Sequence, residues 1–226
     1  MIENRFELKS VTLDAYLPQI LASLFTSPAM FYEVYPQRVV NNIYFDDDLL
    51  SSYYENKEGL ANRKKLRVRW YGKNLDSNLT AEVKSRIGNE SSKVSENLNL
   101  IISDIDKVTI SNFSDAFNKL KNQDIKNLYL LKSVPTIFTS YKRKYFQSKI
   151  LNLRLTVDEN LQFQSQIGSA KILTNNPIRD PHGRSIIEFK FPKESLKDVN
   201  KYISLNGLNR NRFSKYCVGI DSSYGV

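Results

Sequence analysis

Five segments of the chain alternate charged and apolar side chains with a period of two residues. In the first, Arg5, Glu7 and Lys9 alternate with Phe6 and Leu8. The other four are residues 65–70, 81–87, 151–158 and 187–191. Successive side chains of a β-strand point to opposite faces, so this pattern predicts strands with one charged face and one apolar face. The apolar faces are expected to pack on a core, which leaves the charged faces to be explained.

The charged faces allow two interpretations. One side of an antiparallel sheet can simply be wetted by solvent, and that interpretation stays open. The residue types favour a bound polyanion, because basic residues two apart on one face, such as Arg67 and Arg69, repel each other on a merely solvated surface. Arginine offers a planar fork to phosphate oxygens and lysine offers a point charge. The pattern therefore indicates a bound phosphate chain, with interleaved glutamates that would hold a divalent cation.

The composition is consistent with an anionic partner. Lys and Arg number 33 against 24 Asp and Glu, which gives a formal charge of +9. The single cysteine, Cys217, excludes an intramolecular disulfide, and with the single histidine, His182, it leaves no zinc site of the usual His/Cys type. Any metal must therefore be held by carboxylates. No segment has the roughly 20 apolar residues of a membrane span and the N-terminus lacks a signal-peptide core. We therefore expect a cytoplasmic chain without a membrane segment of its own, and a membrane partner stays open.

Helical spacing of apolar residues, together with capping residues, predicts four helices outside these strands. They cover residues 13–25, 47–56, 111–121 and 193–205. Asp47 and Asp48 are expected to cap the second helix rather than bind a metal, and the role of Asp46 is left open. His182 lies in a turn-like sequence and Cys217 among apolar residues, so neither is assigned a role. No Pro/Gly-rich linker divides the chain, which predicts a single domain over residues 1–226.

Eight short motifs occur in a fixed order along almost the whole chain. They are Arg5-Phe-Glu7-Leu-Lys9, Asn42-Ile-Tyr44-Phe45-Asp46, Arg67-Val-Arg69, Glu82-Val-Lys84, Tyr141-Lys-Arg143, Arg154-Leu-Thr156-Val-Asp158, Glu188-Phe-Lys190 and Ser214-Lys215-Tyr216. Together they resemble the vacuolar transporter chaperone (VTC) domain, the polyphosphate-polymerase branch of the CYTH-like triphosphate tunnel metalloenzyme superfamily. The resemblance implies an α+β fold, a closed antiparallel β-barrel of about eight strands that forms a triphosphate tunnel, with peripheral helices.

The resemblance also implies the roles of thirteen residues. Catalytic contacts to the transferred phosphoryl group are expected from Arg67, Arg69, Lys84, Arg143 and Arg154. Binding of the nucleotide and of the phosphate chain is expected from Lys9, Lys93, Tyr141, Lys190, Arg212 and Lys215. Mn²⁺ or Mg²⁺ is expected on Glu188 and Glu7.

The implied activity is the transfer of the γ-phosphoryl group of ATP to a growing polyphosphate chain. The wider superfamily opens with Glu-x-Glu-x-Lys, and Arg5 stands here at the first glutamate, which favours the polymerase branch. Two alternatives are an inorganic triphosphatase or nucleoside triphosphate phosphohydrolase of the same fold, and a non-catalytic polyphosphate-binding module. A nucleic-acid-binding module would use the interleaved Tyr141, Arg143 and Tyr145. Because no RNP, KH or helix-turn-helix signature occurs, no nucleic acid partner is expected.

Overall fold

The computed structural model describes residues 5–72, 79–88, 90–100 and 107–225. The strands are β1 (Arg5–Leu13), β2 (Phe31–Asp46), β3 (Asn62–Tyr71), β4 (Thr80–Ile87), β5 (Glu90–Asn97), β6 (Val134–Ser148), β7 (Arg154–Ser165), β8 (Ile178–Arg179) and β9 (Arg184–Pro192). The helices are α1 (Leu17–Thr26), α2 (Ser51–Lys57), α3 (Ile110–Asn118), α4 (Gln123–Leu131), α5 (Leu196–Leu205) and α6 (Lys215–Tyr224).

The strands form a nine-stranded sheet that is open. Hydrogen bonds join them in the order β1-β9-β7-β6-β2-β3-β4-β5, and β8 pairs with β7 outside this path. The pairs β1–β9, β7–β9, β2–β3, β3–β4 and β4–β5 are antiparallel. Within the described part of the chain, the two end strands, β1 and β5, do not pair with each other.

The prediction of a closed barrel of about eight strands is therefore wrong. Alternating side chains show which residues share a face of a strand, but they carry no information on whether the first and last strands meet. Closure depends on strand tilt and on the stagger of the hydrogen-bond register, which are properties of the whole sheet. The count of about eight strands came from the resemblance, and the described sheet has eight strands along its hydrogen-bonded path plus the two-residue β8.

Contacts between residues group the chain into two compact units. The first unit comprises Met1–Arg38, Tyr141–Leu161 and Arg179–Phe213, and the second comprises Val39–Ser140, Gln162–Ile178 and Ser214–Val226. Each unit has its own hydrophobic core. Phe189 and Leu155 are fully buried in the core of the first unit, and Phe45 and Leu66 lie in that of the second. The expectation of a single domain stays a prediction.

The four predicted helices are present, with two additions, and the predicted second helix begins four residues later than expected, at Ser51. The predicted first helix begins later, at Leu17, and Pro18 lies in its first turn, where a missing N–H removes no hydrogen bond. Helices α4 and α6 were not predicted. Each begins at a side-chain cap, because Asn122 accepts a hydrogen bond from the Ile125 N–H and Ser214 from the Cys217 N–H.

Two aspartates organise the start of α2. Asp47 accepts hydrogen bonds from the N–H groups of Leu49 and Ser51 at 3.1 and 2.9 Å and so satisfies the first N–H of α2, although the N-cap residue itself is Leu50. The fully buried Asp46 accepts from the N–H groups of Ser52 and Tyr53. Asp48 makes no such bond within the described residues.

None of the helices that the structure describes is long and apolar enough to cross a membrane.

Candidate phosphate-binding site

One face of β3, β4 and β5 in the second unit carries an unusual concentration of positive charge. The register pairs Lys65 with Lys84, and Lys84 with Lys93, so three lysines lie side by side across the three strands. Two residues further along β3 and β4 on the same face, Arg63 lies opposite Arg86. We call this surface the basic face; its charged members are Arg63, Lys65, Arg67, Arg69, Glu82, Lys84, Arg86 and Lys93. Like charges directly opposite each other destabilise a sheet, so the basic face is suited to a ligand of opposite charge.

Glu82 is the carboxylate at the centre of the basic face, and it is buried. The Arg67 guanidinium group donates through Nε at 2.8 Å and Nη2 at 2.6 Å to Glu82 Oε2. The Arg69 Nη1 atom lies 3.6 Å from the same oxygen, and the Lys93 Nζ atom lies 3.1 Å from Oε1. Burial alone would raise the pKa of Glu82, but Arg67, Arg69 and Lys93 outweigh it and lower the pKa to about 2. Glu82 is therefore a carboxylate anion that aligns several cations on one surface.

The two arginines are also held from the neighbouring strand β2. The register places Tyr44 opposite Arg67 and Asn42 opposite Arg69. Arg67 donates to the Tyr44 hydroxyl at 3.2 Å, and Arg69 donates through Nε to Asn42 Oδ1 at 2.8 Å. Asn42 in turn donates to the Thr139 hydroxyl. These contacts fix the direction of both guanidinium groups, which is the preorganisation that recognition of phosphate oxygens requires.

Lys65 joins the basic face, although it was not among the predicted site residues. Its Nζ atom donates to Ser214 Oγ at 2.8 Å and lies 5.9 Å from the centre of the Tyr216 ring. The Tyr216 ring stacks on Tyr44, at a centroid distance of 5.2 Å. The signal that could have identified Lys65 is the same alternation that identified Arg67, since the two residues are two apart on β3.

Asp46 connects α6 to this surface, which gives a role to a residue left open by the sequence. The Tyr216 hydroxyl donates to Asp46 Oδ2, and Lys132 Nζ lies 3.2 Å from Oδ1. Burial and the neighbouring Asp46 carboxylate raise the pKa of Tyr216, so its hydroxyl stays protonated and remains a donor. Asp46 thereby holds the first turn of α6, which carries the predicted binding residue Lys215 and, at its N-cap, Ser214.

A second charged cluster lies in the first unit, on β1, β9, β7 and β6. The register of β1 and β9 places Lys9 opposite Glu188 and Glu7 opposite Lys190. The Lys9 Nζ atom lies 3.0 Å from Glu7 Oε1 and 4.0 Å from Glu188 Oε2, and Lys190 Nζ lies 2.7 Å from Glu188 Oε1. We call this set the Glu188 cluster; its members are Glu7, Lys9, Arg143, Asp158, Glu188 and Lys190.

Electrostatics in the Glu188 cluster favour the charged forms. Burial of Glu188 would raise its pKa, but Lys9, Lys190 and Arg143 hold the pKa well below its usual range. Arg143 forms a bidentate pair with the buried Asp158, in which Nη2 donates to Oδ2 at 2.7 Å. Its guanidinium group also lies over the buried Tyr141 ring, 5.3 Å from the ring centre. Glu188 is therefore an anion at neutral pH, and Arg143, held by Asp158, is a fixed cation beside it.

The structure distributes the predicted site residues over the two units. Arg67, Arg69, Lys84, Lys93 and Lys215 belong to the second unit, and Glu7, Lys9, Tyr141, Arg143, Arg154, Glu188, Lys190 and Arg212 belong to the first. Arg154 is exposed and lies opposite Lys190 in the register of β7 and β9. Arg212 is exposed, and the contacts of the described residues do not bring it into the Glu188 cluster.

The oxygen ligands of the Glu188 cluster fit a hard divalent cation. Glu7 and Glu188 both approach Lys9, so the two carboxylates are neighbours. Thr156 lies opposite Glu188 in the register, and its buried Oγ1 has no hydrogen-bond partner within the described part of the chain. The described residues contain no group of three or more His, Cys, Asp or Glu side chains that could enclose a metal. Mg²⁺ commonly uses one or two carboxylates and takes its other ligands from water and phosphate, which matches this arrangement.

Two other residues singled out in the sequence, His182 and Cys217, stay without an assigned role. His182 is exposed, in the turn that precedes β9. Cys217 is buried within α6. Neither position suggests a nucleophile or a general base.

Comparison with known proteins gives a family and a fold. The family model of the VTC domain matches residues 2–224. Among solved structures, the chain is similar to a putative adenylyl cyclase from Hippeastrum, HpAC1, which is described as having a dominant triphosphatase activity; the TM-score is 0.56, the identity 14%, and the match covers 96% of this chain and 95% of that chain. It is also similar to the PH1819 protein from Pyrococcus horikoshii, with a TM-score of 0.52, 13% identity and coverage of 96% and 99%. At these identities the likeness concerns the fold alone. No curated protein matches the chain.

Proposed function

Because the chain belongs to the VTC domain family, we propose that it is a metal-dependent polyphosphate polymerase that transfers the γ-phosphoryl group of ATP to a polyphosphate chain. Its proposed partners are ATP and polyphosphate, and a membrane protein that accepts the product is compatible with this function. The observation that carries the proposal is the excess of positive charge on the basic face.

The basic face has the charge and spacing that a phosphate chain requires. Seven of its eight charged members are cations, and the eighth is Glu82. Residues two apart on one strand are separated by about 7 Å, and adjacent strands by about 4.8 Å. A polyanion with closely repeated charges can contact several of these cations at once, whereas a single small anion would leave most of the repulsion among them in place.

Phosphoryl transfer on this surface needs cations more than it needs a base. An oxygen of the terminal phosphate of the chain would bond to the γ-phosphorus of ATP, the bond from that phosphorus to the β–γ bridging oxygen would break, and ADP would leave. The attacking oxygen is already anionic, so little general-base catalysis is required. Arg67, Arg69 and Lys84 would stabilise the charge on the transferred group, a contribution that is usually large in phosphoryl transfer.

The Glu188 cluster is assigned to phosphate and cation binding in the first unit. Lys9, Arg143 and Lys190 would bind phosphate oxygens, with Arg154 at the exposed end of β7. Glu188 and Glu7 would hold Mn²⁺ or Mg²⁺, which supplies charge neutralisation on phosphate oxygens when bound. Asp158 fixes the Arg143 guanidinium group, so this cation is positioned before a ligand arrives.

A triphosphatase is the second candidate. The observation in its favour is the similarity in fold to the Hippeastrum protein, which is described as having a dominant triphosphatase activity. The same cations would stabilise the same transferred group, with water in place of the chain terminus as the nucleophile. The two candidates therefore differ in the acceptor and not in the residues that bind phosphate.

Incubation of the purified protein with ATP and Mn²⁺ tests the proposal. We expect long-chain polyphosphate on a gel, sensitive to an exopolyphosphatase, together with one ADP for each phosphate incorporated. Orthophosphate without polyphosphate would identify the triphosphatase instead. Binding of polyphosphate without consumption of ATP would identify a non-catalytic binding module.

A further inference from the structure

Three side chains of the first unit form an exposed aromatic and cationic group that the proposed phosphate chemistry does not use. The rings of Tyr35 on β2 and Tyr145 on β6 meet edge to face, with centroids 5.9 Å apart and an interplanar angle of 89°. The Arg38 guanidinium carbon lies 5.3 Å from the centre of the Tyr35 ring and 5.9 Å from that of Tyr145. Two rings and one planar cation thus share a single small surface.

This group is exposed to an extent that core packing does not explain. Tyr35 is 52% exposed, Arg38 is also exposed, and Tyr145 is half-buried. None of the three belongs to the buried core of the first unit. Large aromatic side chains on a surface are frequent at binding sites, because their flat faces offer contact area at a small entropic cost.

The group is placed next to the phosphate-binding residues of the same unit. Tyr145 lies two residues beyond Arg143 on β6, so both side chains leave the same face of the strand, about 7 Å apart along it. Arg143 belongs to the Glu188 cluster, which we assign to phosphate and cation binding. A ligand whose phosphates contact Arg143 would therefore bring its next chemical group near Tyr145.

We propose that Tyr35, Arg38 and Tyr145 form a subsite for the base of a nucleoside triphosphate. Every nucleobase has a flat π-face that stacks on aromatic rings and on the plane of a guanidinium group. Inorganic polyphosphate has no such face, so this subsite distinguishes the nucleotide donor from the chain acceptor. The inference rests on the proposed function, because it takes Arg143 as a phosphate ligand.

Binding measurements with two ligands test the subsite. Calorimetry would compare the non-hydrolysable β,γ-imido analogue of ATP with inorganic tripolyphosphate, each with Mn²⁺. Loss of the stacking between one base and an aromatic ring raises the dissociation constant by roughly 5- to 150-fold. We expect Tyr35→Ala and Tyr145→Ala each to raise the dissociation constant of the analogue by about tenfold or more. Both variants should bind tripolyphosphate within about twofold of the wild type.

Two further variants separate stacking from folding. Tyr145→Phe keeps the ring and should bind the analogue as the wild type does. Tyr16→Ala removes another exposed tyrosine of the first unit, 58% exposed, and should leave both ligands unaffected. Unchanged analogue binding in Tyr35→Ala and Tyr145→Ala would overturn the subsite, as would an equal loss for both ligands. A larger loss for a single-stranded oligouridylate than for the analogue would reassign the rings to RNA and also overturn it.

Failure of the subsite and failure of the proposed function give different results. A wild-type protein that makes no polyphosphate, but whose binding of the analogue depends on the two rings, keeps the subsite and refutes the polymerase. A protein that makes polyphosphate, with a KM for ATP unchanged in Tyr35→Ala and Tyr145→Ala, refutes the subsite alone.

Discussion

Lys9 lies directly opposite Glu188 in the register of β1 and β9, and its Nζ atom lies between that carboxylate, at 4.0 Å, and the Glu7 carboxylate, at 3.0 Å. One ammonium group thus reduces the repulsion between two carboxylates, and Lys190, 2.7 Å from Glu188 Oε1, adds a second positive charge. A divalent cation held by Glu7 and Glu188 would take over the same electrostatic task. Binding of a divalent cation would therefore replace the Lys9 ammonium group beside two carboxylates that are already in place.

Glu188→Gln should weaken the apparent affinity of the protein for Mn²⁺. The substitution keeps the shape of the side chain but removes the charge that a hard cation requires. We expect the Mn²⁺ concentration for half-maximal ATP consumption to rise by about tenfold or more, since loss of a ligand removes a direct metal contact. The matched control is Glu159→Gln, which removes a carboxylate of β7 that pairs with Lys144. An unchanged Mn²⁺ titration in Glu188→Gln, with a native circular dichroism spectrum, would contradict the metal assignment.

Arg67→Ala should reduce turnover of ATP by about 100-fold or more, because removal of one preorganised contact to developing charge commonly has an effect of this size. Arg67→Lys keeps the charge but loses the fork that contacts Glu82, so it should recover only part of the activity. Lys64→Ala is the control, since Lys64 is exposed on the opposite face of the same strand. Initial rates of ADP release measure all three. Equal rates in Arg67→Ala and Lys64→Ala would remove Arg67 from the site.

Stability should fall on acidification because of Glu82. Its pKa is about 2 in the folded protein, against an ordinary glutamate value of 4.5. A pKa that is lower in the folded state than in the unfolded state stabilises the fold when the pH lies above the unfolded-state pKa. This contribution is lost as the pH falls from about 4.5 towards 2. The shift corresponds to a contribution on the order of 3 kcal/mol. Urea unfolding at pH 7, 4 and 3 should show a smaller acid-induced loss in Glu82→Gln than in the wild type, and an identical loss in both would contradict this account.

Tyr216→Phe should destabilise the second unit without removing the aromatic stack on Tyr44. The variant leaves the buried Asp46 carboxylate without its hydroxyl donor, which typically reduces the free energy of unfolding by about 1–3 kcal/mol. Tyr54→Phe is the comparison, because Tyr54 is 51% exposed. Denaturant midpoints measure the difference. A midpoint for Tyr216→Phe as high as that for Tyr54→Phe would show that Asp46 does not depend on this bond.

Gly219→Ala should also destabilise the fold, for a steric reason. A Cβ atom at position 219 would lie 2.9 Å from Ile137 Cγ1 and 2.9 Å from Phe163 Cδ1, closer than packed carbon atoms approach. Forcing an extra methyl group into a packed core usually costs about 1–3 kcal/mol. Ser222→Ala, in the same helix, is the control, and thermal unfolding provides the measurement. A melting temperature equal to that of the control would mean that α6 can move away from β6 and β7 at little cost.

The sequence determined five of the nine strands in the described sheet, β1, β3, β4, β7 and β9, and the identity of the charged side chains on them. Alternation is a local property, so Arg67 and Glu188 could be assigned to the polar faces of their strands from neighbouring residues alone. The ordered motifs indicated the VTC domain, and the family match confirms it. The missed Lys65 shows the limit of motifs, because a residue outside the motif was left out although it obeys the same alternation.

Only the tertiary structure decided how the strands come together. It showed an open sheet in place of a closed barrel, because closure depends on tilt and stagger summed over every strand. It also paired Lys9 with Glu188 and set Lys65, Lys84 and Lys93 in one row, contacts that depend on register between strands. Local sequence determines the direction of a side chain from its own strand, whereas its partner is chosen by packing between segments that lie far apart in the chain.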